Sequence, residues 1–183
     1  MAVETAAAKY SSSSWPWSNK RFFVAQITLR ILATAFSLAA VSLMITGTQT
    51  VLVFLVQMKV TYSSSSAWRF LFGANIVTCI LSVLSLIFVC LISLSASHMK
   101  YFLLFLHDMV TMVLLISGCA AASAIGYVGK YGELKMGWGP VCGFAPKFCN
   151  RSTISLVLSY LAFLCYMGLT ILSAHKLLSR ATE

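Results

Sequence analysis

Two charges of opposite sign stand inside long apolar runs, Arg30 in the first and Asp108 in the third. A lone charge in hydrocarbon costs from about 3 kcal/mol on insertion scales to about 10 or more in simulation, so each needs a partner. The two are expected to form a buried ion pair. Arg30 lies eight residues past Phe22 and Asp108 seven past Tyr101, about 12 and 10 Å at 1.5 Å per residue, so their depths match when both runs travel the same way. Gln26, Arg30 and Thr34 recur every four residues and share one helix face, and Thr111 shares the face of Asp108. Both stripes should face the interior of a bundle. The pair then has two readings. In the favoured one it fixes which helix faces which. In the other, Asp108 with neighbouring His107 belongs to an ion or proton path, although adjacent helical residues point about 100° apart. Transport proteins usually carry repeats and Gly- or Pro-broken spans, and these spans contain no proline.

Other reactive residues offer little. The acids are Glu4, Asp108, Glu133 and Glu183 and the histidines His98, His107 and His175, none spaced for acid–base work, and there is no Ser–His–Asp order or HExxH motif. The expectation is a protein that is not an enzyme and binds no cofactor or metal. Cys79, Cys90, Cys119 and Cys165 lie in apolar runs, where a thiol acts as a small hydrophobe. Cys142 and Cys149 stand in a Gly- and Pro-containing loop, where a disulfide is favoured if the loop faces an oxidising compartment. Two reduced cysteines are the alternative, and zinc would need four ligands where this loop has no histidine. The sequon Asn150-Arg151-Ser152 abuts the fourth run and is expected to stay unmodified.

The elements that position these groups follow from composition: 60% of the 183 residues are hydrophobic and 9% charged, which defines a membrane protein. Four runs, 22–46, 70–94, 101–127 and 152–174, exceed the roughly 20 residues needed to cross a hydrocarbon core of about 30 Å. The fold class is an all-α membrane protein, a four-transmembrane-helix bundle with two short outer loops. A disordered cytosolic tail over 1–21 containing Ser11 to Ser14, the bundle over 22–176, and a cytosolic tail over 177–183 complete the expected layout. No signal peptide is expected, because the first run is long and lacks a cleavage pattern. Lys and Arg nearly balance across the two sides, and Lys20 and Arg21 abutting the first span favour cytosolic termini.

The net charge of +9 is scattered at membrane edges, which suits a lipid bilayer and argues against nucleic acid. Gly118, Ala122 and Gly126 form a small-residue stripe on the third span, fit for close helix packing within the bundle or between protomers. Ser152, Ser155 and Ser159 could hydrogen-bond across a helix interface or simply pack. The first outer loop contains an apolar, β-branched stretch, Val51 to Val60, that resembles a short strand lying on the membrane surface or pairing with the second loop. Trp68 follows at an expected headgroup level.

Four spans, Arg in the first, Asp in the third, and an outer loop reading Gly137-Trp138-Gly139-Pro140-Val141-Cys142-Gly143-Phe144-Ala145-Pro146-Lys147-Phe148-Cys149 together resemble the Casparian strip membrane domain protein-like (CASP-like) family of plants, related to the MARVEL four-span proteins. The likeness covers about Phe22 to Lys176, and its most specific parts are the charge pair, Trp138 and the two cysteines. It implies a non-catalytic plasma-membrane scaffold that forms homodimers and heterodimers with related four-span proteins and organises a membrane patch, with cell-wall-modifying enzymes as further partners. By the same likeness Arg30 and Asp108 are the structural pair and Cys142 and Cys149 the disulfide. Strip-building members carry an acidic, Pro- and aromatic-containing stretch in the first outer loop, and Thr46 to Ala67 has none, so a strip-building role is not expected. Claudin-like proteins need a Trp and two Cys in the first loop, and tetraspanins a Cys-Cys-Gly motif in a large second loop; both patterns are absent.

Overall fold

The computed structural model describes residues 19–53, 56–94, 98–133, 135 and 137–181. The disordered tail expected at the N-terminus and the turn between the second and third spans fall mostly outside the described residues. Four long helices dominate: α1 (Asn19–Thr46), α2 (Ser66–Leu94), α3 (His98–Tyr131) and α4 (Pro146–Ala181). Each contains a stretch long and apolar enough to cross a membrane. In hydrocarbon a backbone must satisfy its own N–H and C=O groups, and a helix does so within one segment. The fold is thus the expected all-α four-span bundle.

Every helix extends past the apolar run that announces it, most of all α4. It starts six residues before Ser152, at Pro146, whose fixed φ and missing N–H suit the first position of a helix. It also continues to Ala181, through most of the stretch expected as a C-terminal tail. Hydropathy marks where lipid begins, whereas the helix ends where its terminal groups find caps.

Helices α1 and α3 each pack along both α2 and α4, so α1 and α3 face one another across the bundle. Three apolar layers fill the interior. Phe22, Val89, Tyr101 and Leu104 form the layer near the termini. Ala33, Leu115, Ala162, Tyr166 and Leu169 form the middle one. Met44, Trp68, Leu71, Cys119 and Ala122 form the one at the loop end.

The first loop is stranded, as expected, but it pairs with itself and not with the second loop. It folds on itself as an antiparallel hairpin, β1 (Gln49–Val53) on β2 (Val56–Val60), registered from Gln49 opposite Val60 to Val53 opposite Val56. A strand beside its own chain neighbour closes at a lower entropy cost than one pairing with a loop about 90 residues away. A link to the second loop exists nonetheless: the Phe148 N–H donates to Gln49 Oε1 at 3.3 Å. Arg151 Nη1 caps α1 by donating to the Thr46 carbonyl at 3.0 Å, placing a cation at the negative end of the helix dipole. Trp68 turns its side chain into the bundle. It is 7% exposed and meets Phe148 edge-on at a 6.4 Å ring separation.

Candidate functional site

Periodicity along α1 buries Gln26, Arg30 and Ser37 completely, and along α3 it buries Asp108 and Thr111. Arg30 Nη2 reaches across the bundle to Asp108 Oδ2 at 2.7 Å and Oδ1 at 2.8 Å. Both side chains are wholly shielded. In such surroundings an ion pair is favourable only when the remaining donors and acceptors also find partners. The bundle supplies partners for both terminal guanidinium nitrogens, while Arg30 Nε stays buried without a hydrogen-bond partner. Arg30 Nη1 donates to Ser85 Oγ on α2 at 2.5 Å, and Nη2 approaches Gln26 Oε1 at 3.4 Å. Gln26 Nε2 donates in turn to Ser173 Oγ on α4 at 3.0 Å, and Ser173 also lies against the Asp108 carboxylate.

A second ring of hydroxyls surrounds Ser82 on α2. Tyr166 of α4 donates to Ser82 Oγ at 3.0 Å, while Thr34 Oγ1 lies 2.7 Å from both Ser82 Oγ and the Arg30 carbonyl. All four helices therefore contribute to one polar layer between the first and middle apolar layers. His107 borders this layer: it is half-buried and lines a side cavity of about 300 Å³ together with Leu81, Leu104 and Ser85, the residue whose hydroxyl accepts from Arg30.

Farther toward the loops a smaller polar contact repeats the pattern. Ser155 Oγ donates to the Ala40 carbonyl at 2.8 Å, and Asn75 Nδ2 donates to Ser159 Oγ at 2.9 Å. Two of the three serines singled out on the fourth span therefore do bond across helices. The Gly118, Ala122 and Gly126 stripe packs inside the bundle, against α2. A Cβ on Gly118 would come within 3.3 Å of Leu71 Cδ1 and 3.4 Å of its Cα, one on Gly126 would meet Trp68 at 3.6 Å, and Ala122 is fully buried.

The second loop closes the bundle. Gly132 ends α3 with φ +74°, its N–H donating to the Val128 carbonyl at 2.8 Å. No larger residue suits that position, because a Cβ would lie 2.8 Å from the Trp138 carbonyl oxygen. Glu133 and Trp138 exchange backbone hydrogen bonds at 2.8 and 3.0 Å, and the Val141 and Cys142 N–H groups return to the Gly129 carbonyl. Cys142 and Cys149 form a disulfide. The Trp138 ring is 59% exposed.

Sequence reasoning found Arg30, Asp108, Gln26 and Thr34 but not Ser82, Ser85, Tyr166 and Ser173. The signal was present: small polar residues within spans turn toward helix neighbours. Periodicity alone does not say which neighbour. Among the described residues no group of three His, Cys, Asp or Glu side chains is placed to hold a metal.

Fold and site together define a four-span membrane protein with a buried charge pair between diagonal helices and a disulfide-closed loop over one end. The sequence profile described as Casparian strip membrane protein domain matches residues 19–165. CASP-like protein 1F2 of Ricinus communis is 55% identical over 166 residues, covering 89% of this chain and 83% of its own. CASP-like protein 1F3 of Populus trichocarpa is 48% identical, covering 91% and 86%, and CASP-like protein 1F1 of Arabidopsis thaliana is 37% identical, covering 81% and 86%. No solved structure matches the chain. The protein belongs to the Casparian strip membrane protein domain family, and its relatives are CASP-like membrane proteins.

Proposed function

We propose that this chain is a non-enzymatic plasma-membrane scaffold with both termini in the cytosol. It self-associates, joins related four-span proteins in heterodimers, and organises a membrane patch at which cell-wall-modifying enzymes act. The observation that supports this reading most is that side chains from all four helices meet around the Arg30–Asp108 pair. A pair enclosed in this way specifies one arrangement of the bundle, and with it one outer surface for partners. Family membership and the names of the relatives agree with a membrane role.

The test is a charge swap. Arg30→Asp and Asp108→Arg, each made alone, should cause retention inside the cell and loss of crosslinked dimers, and the double swap should restore both. Normal surface delivery and assembly of either single variant would overturn the structural role of the pair. Ion flux through reconstituted wild-type protein that either single substitution abolishes would instead support transport.

A further inference from the structure

A cleft of about 740 Å³ opens at the loop end, between the last turns of α3, the start of α4 and the turn following the hairpin. Its volume falls within the range of small-molecule sites, and no role assigned above uses it. The walls divide by chemistry. Trp68, Ile125, Tyr127 and Leu156 contribute apolar, partly aromatic surface, while Lys130, Ser64 and Ser65 bring an ammonium and hydroxyls; the Thr153 hydroxyl already donates to the Cys149 carbonyl at 2.8 Å. Ser123, at the other end of the α3 wall, lies seven residues from Lys130, about 10 Å along the helix axis.

Its depth in the membrane limits what can enter. Tyr127 and Tyr131 are exposed on α3 and pack together at 4.9 Å between ring centroids, and paired aromatic rings near a span end sit at headgroup level. The cleft therefore begins among headgroups and continues into the acyl region of the same leaflet. An occupant needs an apolar chain for Trp68 and Leu156 and a negative, hydrogen-bond-accepting group for Lys130 and the Ser64 and Ser65 hydroxyls. The geometry points to a glycerophospholipid of that leaflet, its phosphate held at Lys130 and the upper part of one acyl chain along Trp68. A sterol offers a single hydroxyl and no charge to Lys130. The disulfide belongs to this site as well, since Cys142 and Cys149 both line it and the Cys142 N–H is tied to the Gly129 carbonyl at 3.0 Å.

Gly129 gives a direct test, because it lines the cleft and a Cβ there meets no atom within 4 Å. A leucine at 129 should fill the space without forcing α3 and α4 apart. The full chain would be incubated with vesicles containing equal parts of phosphatidylcholine, phosphatidylglycerol and a sterol, extracted into detergent, stripped, and weighed by native mass spectrometry. Wild type should keep one intact phospholipid. Gly129→Leu, at unchanged helicity, should lower the bound fraction about tenfold, the equivalent of about 1.4 kcal/mol, and Lys130→Gln should weaken phospholipid retention. Equal retention by wild type and Gly129→Leu, retention of the sterol in place of the phospholipid, or binding of glycerophosphate alone would each overturn the assignment. Should Gly129→Leu fail to fold, a phospholipid with a photoreactive acyl chain decides on wild type: crosslinks concentrated on peptides carrying Trp68, Ile125 and Leu156 support the site, and crosslinks spread evenly over all four helices refute it.

Discussion

Arg30 and Asp108 are each other's counter-ion in a place where neither has access to water, so truncating one leaves an uncompensated charge. Asp108→Asn should cost about 3 to 5 kcal/mol in a reversible detergent-unfolding measurement. Replacing both partners removes the charges together, and Arg30→Met with Asp108→Leu should recover most of that loss, because a buried ion pair and well-packed apolar residues of similar volume are often comparable in stability. A double variant as unstable as the single one would mean that the surrounding hydroxyls, not the charges, hold the layer. Phe148 poses a simpler question. It is largely buried and its ring meets Trp68, so Phe148→Ala should open a cavity, lose about 3 to 5 kcal/mol, and shift Trp68 fluorescence to longer wavelength as water reaches the indole.

Between elements, the approach of α2 to α3 depends on Gly118. Gly118→Leu would drive side-chain atoms into Leu71, whose Cα already lies 3.4 Å from an added Cβ. Overpacking of this kind costs about 1 to 3 kcal/mol, and a lower thermal midpoint in detergent would show it. Gly73 is the control on α2, since a Cβ there meets nothing within 4 Å, and Gly73→Ala should not lower the midpoint and should raise it if anything, alanine being the better helix former. The second loop makes a different demand. Its disulfide closes an interval of seven residues, for which the chain-entropy model gives about 2 to 3 kcal/mol of stabilisation. Cys142→Ser with Cys149→Ser should therefore lower stability by that amount and admit protease to the loop, while the four helices keep their circular dichroism signal. Loss of helicity would show that the loop holds the bundle together as well as covering it.

Over the whole molecule, apolar faces point outward and polar layers inward, the arrangement expected when lipid is the solvent. Val24, Ile80, Leu84, Val110, Val113 and Ile171 are among the exposed hydrophobics. Lipid tails are as apolar as these side chains, so assembly of four-span copies would draw on shape and hydrogen bonding more than on hydrophobic burial. A register shift inside the bundle would change the outer shape as a whole. This is why the charge-swap variants are expected to alter crosslinking between copies although Arg30 and Asp108 are both interior.

Composition and spacing alone determined that the chain crosses the membrane four times, that Arg30 and Asp108 lie at matching depth, and that Cys142 and Cys149 are near enough in sequence to join. Those properties follow from local rules: hydrocarbon thickness sets span length, the helix rise sets depth, and a short loop limits how far two cysteines can separate. Tertiary structure decided what local rules leave open. It placed α1 diagonally from α3, enlisted Ser82, Ser85, Tyr166 and Ser173 around the pair, turned Trp68 inward onto Phe148, folded the first loop back as a hairpin and left a cleft beneath the second. Each of those outcomes depends on which faces meet, and a side chain's partner on another helix is a property of packing that no spacing along one chain segment contains.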